Sequence, residues 1–328
     1  MWRGRRRAIA AGLVLFALAT LCAWAYLAPG PQRPGGEPAE VILPPGSSLP
    51  AIAARLGEAH VITSPAAFMT AAVVTGAAHK LKAGEYAFAS GESLRDVLSA
   101  IRRGAVVRRF ITIPEGLTSH QAADILREAD FLTGPLVDPP EGSLLPETYE
   151  VRRGETRVAV VRRMEAARDK LLSQLWAARP AGLPYRSPEQ AVILASVVEK
   201  ETGRPEERPR IAAVFINRLK KNMRLESDPT VIYGLSAGAV LGHGLRKSEL
   251  SSRSPYNTYQ IDGLPPTPIA NPGRAALAAA LAPARTDDHY FVADGTGGHV
   301  FASSFAAHQS NVERWRAVEE SRRGGGAK

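Results

Sequence analysis

Hydrophobic and polar positions follow several different periods along this 328-residue chain. The first stretch has no period at all. Ala8 to Ala28 is a run of 21 uncharged residues behind Arg3, Arg5, Arg6 and Arg7. About 20 apolar residues span a bilayer and flanking arginines stay on the cytoplasmic side, which predicts a transmembrane helix over 8–28 after a cytoplasmic stub over 1–7. Ala23-Trp24-Ala25 also suits the cleavage site of a signal peptide, and that alternative stays open. Pro29 to Pro38, within a linker that reaches residue 40, is rich in Pro and Gly and spaces the anchor from the folded part of the chain.

Two stretches then repeat one pattern. Val41-Ile42-Leu43-Pro44-Pro45-Gly46, followed by Leu49, Ile52 and Leu56, parallels Ile111-Thr112-Ile113-Pro114-Glu115-Gly116, followed by Ser119, Ala122 and Leu126. Each reads as a short strand, a turn and an amphipathic helix. Between them Lys82 to Phe88 reads as a strand, and Ser93 to Arg103 as a helix with Leu94, Val97, Leu98 and Ile101 inward. Arg157 to Ala177 carries Val160, Val161, Met164, Leu171, Leu172 and Leu175 at helical spacing. Tyr290 to Ala293 and His299 to Phe301 read as a hairpin closed by Asp294 to Gly298. Helices and short strands together make the fold class α+β.

The stretch that invites chemistry is Ala191 to Leu235. Ser187-Pro188-Glu189 is a helix start, and Ala191 to Val198 contains no charge. A helix apolar on all faces is a buried one. Its end carries Glu199, Lys200 and Glu201. Helical residues turn about 100° each, so the two acids stand roughly 200° apart and face different ways. An acid at the C-terminal end of a buried helix meets the negative pole of the helix and loses solvation; both raise its pKa toward that of a general acid at neutral pH. A solvated helix end would show the same three charges. Pro205 to Lys220 reads as a second helix, with Ile211, Val214, Phe215 and Leu219 on one face, Asn217 among them, and Glu206 four residues before Arg210. Ser227-Asp228-Pro229-Thr230 is a turn signal in which Asp228 caps a helix through Ile232 and Tyr233.

Composition narrows the classes. Beyond the four N-terminal arginines the chain carries 37 basic and 32 acidic residues, a mild excess that suits a solvated surface or an anionic polymer. No basic cluster is interleaved with aromatics, so a nucleic-acid groove is not expected. Cys22 is the single cysteine, and the seven histidines are scattered without a His-Glu-x-x-His string. Neither a metal site nor a cofactor is expected. Ser321 to Lys328 is glycine-rich and basic, which predicts a disordered tail.

VEKETGRPEERPRIAAVFINRLKKNMRLESDPTVIYGL resembles the signature of the YceG/MltG family of endolytic murein lytic transglycosylases. LLPETY (Leu144 to Tyr149), YNTY (Tyr256 to Tyr259), GLPPTPIANPG (Gly263 to Gly273) and YFVADGTGGHVF (Tyr290 to Phe301) extend the resemblance over nearly the whole chain. Glu147 stands where the family often has Asp, and Glu226 where an uncharged polar residue is common. The strand–helix–helix–strand pattern of residues 41–106 resembles a LysM-like module, which implies glycan contact or a plain spacer; residues 107–320 then form a mixed α+β catalytic domain.

The resemblance implies that Glu201 is the catalytic acid, with Glu199→Gln expected to be a mild control. It cleaves the bond between N-acetylmuramic acid and N-acetylglucosamine in nascent strands without water and leaves 1,6-anhydro ends. Asn217, Asp228, Thr230, Tyr233, Tyr256, Asn257 and Tyr259 are the candidates for substrate binding. Peptidoglycan strands, the inner membrane and the strand-making synthases are the implied partners, with the catalytic domain outside the cytoplasm. A glycan-binding module without catalysis, and a hydrolytic muramidase with Asp228 as second carboxylate, remain the alternatives.

Overall fold

The computed structural model describes residues 2–325. They form two compact units, Met1–Arg109 with Glu150–Arg153, and Phe110–Tyr149 with Gly154–Lys328.

In the first unit, helix α1 (Trp2–Leu27) leads to strand β1 (Ala39–Leu43), helices α2 (Leu49–Glu58) and α3 (Pro65–Val74), strand β2 (Gly84–Phe88) and helix α4 (Leu94–Arg103). Ser48, Ser64 and Ser93 start the three shorter helices by accepting the amides of Ala51, Ala67 and Asp96. β1 and β2 pair antiparallel, from Ala39 opposite Phe88 to Leu43 opposite Gly84. Leu43, Leu56, Phe68, Tyr86, Phe88 and Ile101 fill the core beneath that ribbon. One charge is buried with them. Glu85 takes Arg109 Nε at 2.9 Å and Arg153 Nε at 2.7 Å, and these guanidiniums, Arg109 foremost, hold its carboxyl below the usual range. The apolar residues of α3 do not segregate to one face, which is why periodicity gave no warning of it.

The N-terminal expectation is corrected here. Among the described residues no helix is long and apolar enough to cross a membrane, and a span needs about 20 such residues. The single-pass anchor and the inner-membrane location expected from residues 8–28 fall with that finding. The end of α1 packs on protein instead: Tyr26 joins the core of the first unit.

Strand β3 (Arg109–Thr112) pairs with β4 (Thr148–Val151), on either side of helix α5 (Ser119–Glu128) in the chain. The second unit continues through helices α6 (Arg157–Ala178), α7 (Pro188–Glu201), α8 (Arg208–Lys220), α9 (Asp228–Ser236), the single turn α10 (Lys247–Leu250) and α11 (Arg274–Leu281). Strands β5 (Tyr290–Ala293) and β6 (His299–Ala302) and helix α12 (Phe305–Gly325) close it. β5 and β6 form an antiparallel hairpin with Tyr290 opposite Ala302.

α7 is the axis of this unit. Every residue from Ala191 to Glu199 is buried. One side, Ala191, Val192 and Ala195, packs on Leu171 and Leu172 of α6 and on Ala276, Leu277 and Ala280 of α11. The other, Leu194, Val197 and Val198, packs on Ile211, Ala212, Phe215 and Ile216 of α8. A side chain on any face of α7 therefore meets protein, and its last turn delivers two carboxylates into polar pockets on different sides.

Two expected boundaries shift. α8 begins at Arg208, three residues later than the pattern suggests, because Pro205 to Glu207 form a separate turn. α12 runs to Gly325 through most of the tail expected to be disordered, with no proline or glycine to stop it before Gly324; residues 326–328 lie outside the described residues.

Candidate active site

Glu201 is the last residue of α7, and Thr202 leaves the helix in an extended conformation. Ser227 Oγ donates to Glu201 Oε1 at 2.5 Å. Burial raises the Glu201 pKa from 4.5 to about 7; the Ser227 hydroxyl opposes that rise, the Asp228 carboxylate adds to it, and the Arg218 guanidinium opposes it. That shift lets Glu201 hold a proton much closer to neutral pH than an ordinary carboxyl, which a general acid requires.

Glu199 faces elsewhere. Arg208 Nη2 donates to its Oε1 at 2.6 Å, and the Gly273 amide to its Oε2 at 2.9 Å. Arg208 Nη2 also reaches Glu115 Oε2 at 3.2 Å. Burial pushes the Glu199 carboxyl up, while the Gly273 amide and then Arg208 pull it down. A Cβ on Gly273 would lie 1.9 Å from the Glu115 carboxylate, so any larger residue there requires that side chain to move aside. Glu199 is thus a buried partner of Arg208 and of the Gly273 amide, so Glu199→Gln acts on the fold as well as serving as a control for turnover.

Asp228 opens α9, where its Oδ1 accepts the Tyr259 hydroxyl at 2.6 Å. Burial, with the Asp228 carboxylate next, raises the Tyr259 hydroxyl pKa well above 10, so the phenol keeps its proton. Tyr233 donates to Glu141 Oε2 at 3.2 Å, and its ring meets Tyr256 edge-on at 4.9 Å between centroids. Tyr256 Oη in turn shares a proton with Thr267 Oγ1 at 2.8 Å. A cleft of about 370 Å³ opens between Thr118, Lys200, Pro229, Ile232, Tyr233, Ile269 and the loop 238–243. Lys200 and Pro229, the chain neighbours of Glu201 and Asp228, stand in its wall.

The structure does not bring every candidate together. Asn217 spends its amide on the carbonyls of Thr286 at 2.8 Å and Asp288 at 3.0 Å, clipping α8 to the approach of β5. Thr230 and Asn257 are fully buried. Thr230 Oγ1 donates to the Ser227 carbonyl at 2.7 Å, and Asn257 Nδ2 donates to Leu250 O at 3.0 Å and Ser252 O at 2.8 Å. These hydrogen bonds hold Thr230 and Asn257 inside the protein, while Asn217 is half-buried and lines a different pocket with Lys220, Lys221, Asp287, His289 and Ser303. Glu206 was expected to face Arg210, whose Nε instead reaches Asp288 Oδ2 at 2.7 Å. Glu147 takes Arg274 at 2.8 Å, Glu226 takes Arg218 at 3.1 Å, and His299 Nδ1 pairs with Glu207 at 2.7 Å beneath the hairpin.

Three residues of the site escaped the sequence. Ser227 read only as part of the turn before Asp228, which was expected to be the cap, and Glu141 and Arg218 drew no functional reading; Ser227, not Asp228, is the N-cap of α9. Arg218 is buried, with Nε on His289 O at 2.6 Å and Nη1 on Leu225 O at 2.9 Å. A buried charge this constrained is a site signal, but it appears only with the fold. Among the described residues no group of three or more His, Cys, Asp or Glu is placed to hold a metal ion.

Residues 41–314 match the YceG-like family. The chain is 31% identical over 310 residues to the endolytic murein transglycosylase of Bacillus subtilis (strain 168), covering 83% of each. It is 29% identical over 281 residues to the endolytic murein transglycosylase of Streptococcus pneumoniae serotype 2 (strain D39), covering 71% of this chain and 50% of that one. Among solved structures, a yceG-like protein from Listeria monocytogenes superposes with a TM-score of 0.53 at 28% identity, over 84% of this chain and 98% of the other.

Proposed function

Because this chain belongs to the YceG-like family, we propose that it is an endolytic murein lytic transglycosylase whose acid is Glu201. One observation carries the assignment to this residue: a carboxyl at the end of a buried helix, held by Ser227, whose pKa is raised to about 7 chiefly by burial, with its chain neighbour Lys200 in the wall of a cleft. Two relatives carry the activity in their names, and this chain matches one of them over 83% of both.

In this reading Glu201 gives its proton to the oxygen joining N-acetylmuramic acid to N-acetylglucosamine. The bond from that oxygen to the muramyl anomeric carbon breaks as the muramyl acetamide stabilises the positive charge. The muramyl 6-hydroxyl oxygen then bonds to the anomeric carbon, and its proton returns to Glu201. Water is not consumed, the enzyme regains its starting state, and the new end is a 1,6-anhydro ring. A second carboxylate is unnecessary, because the substrate supplies both nucleophile and charge stabilisation. Tyr233, Tyr256 and Tyr259 are the residues we assign to the sugar-facing wall, since aromatic rings stack on sugar faces.

The βααβ unit at 41–106 is proposed to be a LysM-like contact for the strand, leading into a catalytic domain over 107–320. A cut that ends growing strands makes the synthase extending them the proposed partner. Mass spectrometry of fragments released from uncrosslinked murein strands tests the reaction. Anhydro-muramyl ends are expected; reducing ends would make the protein a muramidase using Asp228, and binding without fragments would make it a glycan-binding module.

A further inference from the structure

Ser227 occupies the N-cap of α9 with extended backbone, φ −103 and ψ 117. At that position a serine hydroxyl ordinarily accepts the amide two or three residues on. Elsewhere in this chain Ser48, Ser64, Ser93, Thr118 and Thr156 all do so. Ser187 does not, at a part-exposed helix start, and Ser227 does not. Unlike Ser187, Ser227 is buried, and its hydroxyl goes to a different partner: Glu201 Oε1 at 2.5 Å. A local rule set aside inside a buried site is where function is to be sought.

The serine is also locked from behind. Its amide donates to Thr258 Oγ1 at 3.0 Å, and its carbonyl accepts Thr230 Oγ1 at 2.7 Å. The two threonine hydroxyls lie 2.8 Å apart, and both residues are fully buried. Each hydroxyl has one proton. Thr230 spends its own on the Ser227 carbonyl, so Thr258 must donate to Thr230 and accept from the Ser227 amide. This closed set fixes the Ser227 backbone on both sides and so aims its Oγ.

We propose that Ser227 is the positioning residue of the acid: it occupies Oε1 of Glu201 as a fixed donor and leaves Oε2 to release and recover the transferred proton. A carboxyl whose Oε1 faces a donor carries its own proton on Oε2. When Glu201 becomes a carboxylate, the same serine stabilises it, and rotation of the group between the two halves of the reaction is suppressed. The other titratable or charged groups facing Glu201 are Arg218 on α8, Asp228 on α9 and Tyr259 on the following loop.

The proposal rests on Glu201 being the acid, and the test separates the two. The full chain is assayed on murein strands as Ser227→Ala, Ser227→Thr and Glu201→Gln, with pH–rate profiles. Loss of a hydrogen bond to a charged group predicts a kcat about tenfold lower or worse in Ser227→Ala. KM should stay within about twofold, because substrate binding is untouched. The alkaline limb should move up by about one pH unit, since the carboxylate loses its donor. Ser227→Thr should restore most of the rate and the limb. If Ser227→Ala does not fold, Ser227→Gly, well tolerated at an N-cap, replaces it with the same expectations. A parent-like kcat and limb in Ser227→Ala, with Glu201→Gln inactive, would overturn the role of Ser227 alone. An active Glu201→Gln would overturn the acid and the positioning role together.

Discussion

Arg208 and Glu199 form an ion pair at 2.6 Å with both side chains buried, two residues from Glu201 on α7 and directed away from it. Removing Glu199 leaves the buried Arg208 guanidinium only its longer, 3.2 Å contact with the half-exposed Glu115. Because Glu115 remains as a partner, Glu199→Ala is expected to lose less than the full cost of an unpaired buried charge, about 3 kcal/mol at most. Glu199→Gln keeps an acceptor for the Gly273 amide but loses the charge, and falls between this variant and the parent. Denaturant midpoints measure both, and a parent-like midpoint in Glu199→Ala would remove the pair from the structural account.

Glu201 imposes the opposite pH dependence from an ordinary surface acid. Its folded pKa of about 7 lies above the usual 4.5, so the folded state holds the proton more tightly. The associated stability is complete below pH 4.5 and is lost as pH rises through about 7. At about 1.4 kcal/mol per unit, the cost above pH 7 is at most about 3–4 kcal/mol. Glu201→Gln removes the titration. Its thermal midpoint should match the parent's near pH 4.5 and exceed it at pH 8; equal midpoints at both pH values would show that the carboxyl is not desolvated.

Asp228 acts on the acid through charge. Its carboxylate helps raise the Glu201 pKa, so Asp228→Asn should move the alkaline limb of the pH–rate profile to lower pH while leaving product chemistry unchanged. A muramidase using Asp228 as base would instead lose activity at every pH.

Asn257 is a fold residue in this structure. Asn257→Ala leaves the carbonyls of Leu250 and Ser252 without their donor. The expected cost is about 1–3 kcal/mol, read as a lower unfolding midpoint. KM of the folded fraction should not move; a selective rise in KM would return Asn257 to the sugar site.

The central helix was legible because an uncharged octet after Ser-Pro-Glu has one physical reading, and α7 spans Pro188–Glu201 as that reading requires. The inward faces of α4 and α6 and the β5–β6 hairpin were legible for similar reasons of period and turn chemistry. α3 and α11 were not, because alanine-rich segments without a polar face carry no period. Within the site, spacing separated Glu199 from Glu201 by rotation, but only three-dimensional neighbours assign the roles. Asn217, Thr230 and Asn257 looked like ligand contacts because polar residues in loops and on apolar faces advertise binding. Their hydrogen bonds go to backbone carbonyls that sequence cannot see. The N-terminal run shows the same limit: length and charge suggested an anchor, and no described helix meets the requirement.

The most direct test is turnover of murein strands by the full chain carrying Glu201→Gln, at neutral pH and beside the parent. General acid catalysis contributes about 10² to 10⁴ in rate, so the variant should lose activity by that factor while keeping its fold. The anhydro-ended fragments should vanish with it. Folded Glu201→Gln protein that releases fragments at nearly the parent rate would contradict the account, and the acid would then have to be sought elsewhere in the second unit.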